Sequence, residues 1–204
     1  MTNLFPMFLK LTGHKCLVVG AGPAAESKIQ SLLSCGAVVH VVAPGSTETI
    51  EHWVQEKRIT RQARKFENSD LDNVFLVIAA SSSDAVNQAV FREADARGIL
   101  CNAVDDPPLC HFYYPAVVRR GDLQIAISTG GLSPALARRL RSDLESQFGP
   151  EYGPWLRKLG KARRYLSAHS VDPERRKRCL QRMATGPMFD KFVMRQKRRQ
   201  GNAL

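Results

Sequence analysis

The chain has 204 residues, 44% of them hydrophobic, and a net charge of +11. That is enough to bury the core of one sizeable domain with a smaller appendage. No apolar run approaches the ~20 residues that cross a bilayer, and residues 1–10 lack the basic start, apolar stretch and small-residue cleavage site of a signal peptide. The expectation is therefore a cytoplasmic protein with no membrane partner. Its five cysteines are odd in number and show no Cys-x-x-Cys spacing, so neither a disulfide framework nor a zinc knuckle is suggested.

The first 105 residues alternate short apolar runs with amphipathic stretches, as βαβ units do. Residues 16–19 (Cys-Leu-Val-Val) predict a buried strand, and residues 24–34 a helix with Ile29, Leu32 and Leu33 on one face. Residues 37–42, rich in β-branched side chains, predict the second strand. A helix is expected over 47–56 and a short strand over 59–63. Residues 75–80 are the most apolar strand candidate. Asp84 is the expected cap of a helix over 85–97, which stops at Gly98. Residues 100–104 form the fifth expected strand.

The pattern then changes. Residues 112–118 and 123–128 read as two strands joined by a turn at Arg119-Arg120-Gly121-Asp122. Ser133 caps, and Pro134 opens, a helix reaching about Phe148. Gly149-Pro150 and Gly153-Pro154 mark a boundary. Beyond it the chain is basic and helical in pattern, with a helix start at Asp172-Pro173-Glu174 and fraying expected over 196–204. Residues 1–150 hold equal numbers of acidic and basic side chains, so residues 151–204 carry the whole excess charge. Such a field draws polyanions, or it is a solvated helical face. The expected division is 1–111, 112–149 and 150–204.

Gly20-Ala21-Gly22-Pro23-Ala24-Ala25 stands between an expected strand and helix, as a pyrophosphate requires. Gly20 allows the tight turn, Gly22 the close approach of backbone to phosphate, and Ala25 the close helix packing. The alternative is a tight turn with no ligand. Strand two should end in an acid that holds the adenosine ribose. It ends instead in Ala43-Pro44-Gly45-Ser46, and no Arg follows directly to hold a 2′-phosphate.

Ligands of such sheets sit beyond the carboxyl ends of the strands. There stand Ala80-Ser81 and Asn102-Ala103-Val104-Asp105-Asp106. Asp105 is either a general base or the start of a Pro-stiffened turn. Cys110-His111 are adjacent and lack further ligands at metal spacing, so no structural metal is expected. A transient contact with iron or cobalt through His111 or Asp105 stays open. Ser128-Thr129-Gly130-Gly131 is a second glycine-rich loop, either a carboxylate or phosphate binder or a plain connection. The basic tail has no helix-turn-helix pattern and no interleaved aromatics, so no nucleic-acid partner is expected. An NAD(H)-sensing nucleic-acid binder is the remote alternative.

In this order, these segments resemble the precorrin-2 dehydrogenase family, which includes the N-terminal module of siroheme synthase. The resemblance is carried by residues 5–9 (Phe-Pro-Met-Phe-Leu), by Val18-Val19-Gly20-Ala21-Gly22 with Ala25-Glu26-Ser27-Lys28, by residues 101–107, by Cys110-His111-Phe112, by Pro115-Ala116 and by residues 127–137. It covers about 150 residues. It implies a Rossmann-type α/β parallel sheet, a small dimerisation region with a strand hairpin, and a helical C-terminal domain. It also implies NAD-dependent oxidation of precorrin-2 to sirohydrochlorin, towards siroheme or cobalamin, by a homodimer. Metal insertion into the product is the alternative or additional activity.

The resemblance places the catalytic aspartate at Asp105. It places NAD contacts at Gly20, Gly22, Pro23 and Ala24, at Ala43, Pro44 and Gly45, and at Ala80 and Ser81. Substrate contacts are expected at Asn102, His111, Ser128, Thr129 and Gly130. The sequence departs from the family pattern at Ala21, Ala24 and Ser27, and Pro23 supplies no N–H. No methyltransferase segment follows, so a stand-alone dehydrogenase is expected.

Overall fold

The computed structural model describes residues 4–169 and 172–201, in two compact units, Met1–Tyr114 and Pro115–Leu204. In the first, strands β1 (Lys15–Val19), β2 (Val38–Val42), β3 (Thr60–Gln62), β4 (Leu76–Ala79) and β5 (Leu100–Ala103) form one parallel sheet in the order β3-β2-β1-β4-β5. Helices α1 (Pro23–Ser34), α2 (Glu48–Gln55) and α3 (Asp84–Ala96) provide crossovers. Between β3 and β4 a single 3-10 turn, Asn68–Leu71, replaces a helix.

A sheet covered on both faces needs strands that are apolar throughout, and the two faces of β1 show this. Cys16 and Val18 pack with Ala25, Ile29 and Leu32 of α1 and Ile50 and Trp53 of α2. Leu17 and Val19 pack with Leu71, Val74, and Val90 and Ala94 of α3. Burial of such side chains stabilises by ~1.5–3 kcal/mol each. The expected cap of α3 is corrected by one residue: Ser83 is the N-cap and Asp84 the first helical residue, where its charge meets the positive end of the helix dipole.

In the second unit, β6 (Ala116–Arg120) and β7 (Leu123–Ile127) form an antiparallel hairpin. Arg120 pairs with Leu123, so the turn is only Gly121-Asp122, with Gly121 at φ +64°. The expected strand over 112–118 starts later, after Pro115. Residues 110–112 instead bond to β5: Cys110 bridges Asn102, and the His111 amide donates to the Cys101 carbonyl at 2.8 Å.

Helix α4 (Pro134–Gln147) begins as expected, with the Ser133 hydroxyl accepting from the Leu136 amide. Its last carbonyls are met from the hairpin. The Arg120 guanidinium donates to the carbonyls of Phe148 at 2.6 Å and Glu145 at 3.0 Å, satisfying groups a helix end leaves open. Helices α5 (Tyr152–Ala168), α6 (Pro173–Met183) and α7 (Gly186–Gly201) follow. Gly153 and Pro154 lie inside the first turn of α5, where proline costs no hydrogen bond. A Cβ on Gly153 would stand 3.1 Å from the Arg120 carbonyl oxygen. Helix α7 extends through Gly201, into the segment 196–204 where fraying is expected; residues 202–204 lie outside the described residues. Trp155 packs on Phe189 and Phe192 and joins α5 to α7. Among the described residues, no helix is long and apolar enough to cross a membrane.

Candidate dinucleotide and substrate site

Strand register assembles the site. Val19 pairs with Val42 and with Ala79, and Ala79 pairs with Ala103. The next residues, Gly20, Ala43, Ala80 and Val104, therefore line one edge of the sheet. The chain leaves β1 for β2 on one side and reaches β4 on the other. The β1–β4 gap is thus the switch point, the place where sheets of this topology take ligands beyond the carboxyl ends.

The loop after β1 is tied to both neighbours. The Gly20 amide donates to the Val42 carbonyl at 3.0 Å, and Ala21 accepts from the Thr47 amide at 3.1 Å. Gly20 has φ +109°, and an added Cβ would meet the Ala80 backbone, so only glycine fits. At Gly22 an added Cβ meets nothing within 4 Å. That open space is a cradle which a side chain would fill and a phosphate can enter. Gly22 is the N-cap of α1 and Pro23 its first residue. The Ala25 and Glu26 amides donate back to the Gly22 carbonyl, while those of Gly22 and Ala24 have no partner among the described residues. Pro23 therefore costs little: two donors remain open at the positive end of the helix. These residues fit a dinucleotide.

The second wall is Ala80-Ser81. Buried Asn87 of α3 clamps it, accepting from the Ser81 amide at 3.1 Å and donating to the Ser81 carbonyl at 3.0 Å. Ala43 is buried, and Pro44 and Gly45 are exposed beyond β2. Past them, Ser46 meets Arg61 of β3 and Glu51 of α2. The Arg61 guanidinium donates to the Ser46 hydroxyl at 2.8 Å and lies 3.1 Å from the Glu51 carboxylate, to which Ser46 also donates. Sequence reading missed Asn87 and Arg61. Each acts across a gap of six or fifteen residues that only the fold closes.

Asp105 follows β5 in the left-handed region, at φ +60°, and is exposed. Asp tolerates that conformation better than most residues. The turn is fixed from behind. Buried Asn102 donates to the Phe112 carbonyl at 2.8 Å, and the Cys110 thiol donates to the carbonyls of Ala103 and Asp106 at 3.2 Å. His111 Nδ1 accepts from the Cys101 amide at 3.1 Å, which puts the proton on Nε2, 3.0 Å from the Asp95 carboxylate. Asn102 thus bonds across the loop that carries Asp105, and His111 ties the end of that loop to β5 and α3. Half-buried Lys28 of α1 sits 4.0 Å over the Tyr114 ring. Burial lowers its pKa, and the charge of Asp105 partly opposes that shift.

The second glycine-rich loop lies in the second unit. Gly130 and Gly131 both have positive φ, +62° and +82°. The Gly130 amide donates to the Ser128 hydroxyl at 3.1 Å, and the Ser133 amide to the Thr129 hydroxyl at 3.2 Å. Among the described residues, no three His, Cys, Asp or Glu side chains group at metal-holding spacing.

Residues 7–116 match a family described as putative NAD(P)-binding, and residues 120–147 match the sirohaem biosynthesis protein central family. A siroheme synthase of Xylella fastidiosa is 37% identical over 202 residues, which is 98% of this chain and 42% of that protein. One of Nitrosococcus oceani is 40% identical over 163 residues, 79% of this chain and 34% of that protein. This chain thus spans less than half the length of these relatives. The solved structure of SirC, a precorrin-2 dehydrogenase, superposes with a TM-score of 0.77 at 28% identity, covering 96% of this chain and 100% of that one.

Proposed function

This chain belongs to the putative NAD(P)-binding family, in the branch of siroheme synthase N-terminal regions and precorrin-2 dehydrogenases, and we propose that it oxidises precorrin-2 to sirohydrochlorin with NAD as acceptor. One observation carries the reading. The strand register sets the Gly20–Ala25 loop and the Asp105 turn on one edge of one sheet, in a chain that matches a precorrin-2 dehydrogenase over 96% of its length.

When bound, the cofactor supplies the hydride-accepting chemistry. Gly20, Gly22, Pro23 and Ala24 would hold its phosphates, Ala43, Pro44 and Gly45 its adenosine end, and Ala80 and Ser81 would form the far wall. Two hydrogens leave the reduced macrocycle, one as hydride and one as a proton. Asp105, exposed on a turn fixed by Asn102 and His111, takes that proton and returns it to solvent. Within the second unit, Ser128, Thr129 and Gly130 are the candidates for carboxylate binding, and the basic residues beyond 150 give a field that attracts polyanions. The family resemblance supports a cytoplasmic homodimer.

The test is to mix precorrin-2 and NAD with the protein in the absence of oxygen and follow both products. Equal amounts of NADH and sirohydrochlorin are expected. Folded protein that binds NADH yet forms neither product overturns the proposal.

A further inference from the structure

We propose that the Ser46–Glu51–Arg61 cluster sets the choice of NAD over NADP; this inference rests on the dinucleotide reading of the Gly20–Ala25 loop. The cluster adjoins that loop through the bond from the Thr47 amide to the Ala21 carbonyl. It also lies just past β2, where dinucleotide folds read the adenosine ribose with an acid for the 2′-hydroxyl or an Arg for the 2′-phosphate. Neither stands at the end of β2 itself, which runs Ala43-Pro44-Gly45-Ser46. A cation reaches this segment from β3 instead. Register pairs Arg61 with Val41, and its side chain is only 13% exposed.

That cation is already committed. One Nη donates to the Ser46 hydroxyl at 2.8 Å, and the other lies 3.1 Å from the Glu51 carboxylate. Ser46 donates its own proton to the same carboxylate, so the three groups close a ring. Glu51 is held in place as part of α2, which Thr47 caps by accepting from the Ile50 amide. The charges of Arg61 and Glu51 cancel. A ribose 2′-hydroxyl meets a polar surface whose charges cancel, whereas a 2′-phosphate meets a carboxylate and a guanidinium already bound to it. Arg61 alone would invite NADP; Glu51 converts the site to NAD.

The two charges make opposite predictions. The readout is the ratio of the NADPH to the NADH dissociation constant, from fluorescence titration of the whole chain without substrate. Glu51→Gln releases Arg61 and lowers the ratio by about tenfold, the worth of a charge-assisted hydrogen bond. Arg61→Met leaves the carboxylate uncompensated and raises the ratio. Either variant suffices if the other fails to fold. A ratio unchanged in both variants, or moved the same way by both, overturns the proposal, as does wild-type protein that binds neither nucleotide. Selective NADH binding that responds as described, without oxidation of precorrin-2, leaves this inference standing and removes the dehydrogenase reading.

Discussion

Gly20 and Ala80 are packed so closely that a Cβ on Gly20 would stand 2.8 Å from the Ser81 nitrogen and closer still to the Ala80 carbonyl. Gly22, two residues on, faces open space. The two glycines therefore serve different ends. Gly20 joins the ends of β1 and β4, and Gly22 leaves open the space where the proposed dinucleotide would lie.

Their substitutions separate folding from binding. Gly20→Ala combines a steric clash with a strained φ and costs about 3 kcal/mol of stability, read by urea unfolding. Gly22→Val melts close to wild type but binds NADH at least about tenfold more weakly, a loss of roughly 1.4 kcal/mol. A Gly22→Val protein with wild-type affinity would show that the dinucleotide does not lie over this loop.

A second prediction concerns acid stability. Burial alone would push the Asp70 carboxyl up. The bidentate Arg64 guanidinium, at 2.6 and 2.9 Å, the Glu67 amide at 2.9 Å and the Lys15 charge outweigh burial and hold the pKa below the ordinary range. A depressed carboxyl contributes stability above its unfolded pKa of ~3.9 and loses it as pH falls through the folded value. Asp70→Asn is expected to cost about 1–2 kcal/mol near neutral pH, with the gap to wild type closing in strong acid. Urea unfolding at both conditions reads it. A gap of undiminished size in acid would contradict the charged role.

Thiol reactivity gives a third. Burial, with a smaller contribution from Cys35, pushes Cys16 up to about 11. Burial, with a smaller contribution from Cys110, pushes Cys101 up to about 12. Cys179 on α6 is exposed. Since the thiolate is the reactive form, an alkylating reagent at mildly alkaline pH modifies Cys179 first and reaches Cys16 and Cys101 only on unfolding. Peptide mapping reads the order, and early modification of Cys101 would contradict the packing of β5.

In the second unit, Trp155 is 5% exposed against Phe189 and Phe192. Trp155→Ala leaves a cavity between α5 and α7 and costs about 3–5 kcal/mol, seen as lost helicity at lower urea. Wild-type helical stability in that variant would deny the cluster its structural role.

Much of this was legible in the chain. Composition located the inner strands, because a sheet buried on both faces leaves apolar runs such as Leu76–Ala79, and the short edge strand Thr60–Gln62 falls within the expected 59–63 although its own residues are polar. The Phe112-Tyr113-Tyr114 run has strand composition yet forms none. Pro115 lacks a donor, and Asn102 and His111 pin residues 110–112 to β5. Gly153-Pro154 read as a break because proline's meaning depends on where a helix begins. The glycine loop and Asp105 were visible as motifs. Arg61 and Asn87 were not, since each acts on a residue of another element and neither spacing nor periodicity marks it.

The most direct measurement compares the initial rate of NADH formation from precorrin-2 in wild-type and Asp105→Ala protein, at NAD concentrations that saturate both. A lost general base costs about 10²–10⁴-fold in rate, so the variant should bind NAD normally and turn over at least about a hundredfold more slowly. Equal rates would remove Asp105 from the chemistry, and no NADH from the wild type would refute the dehydrogenase itself.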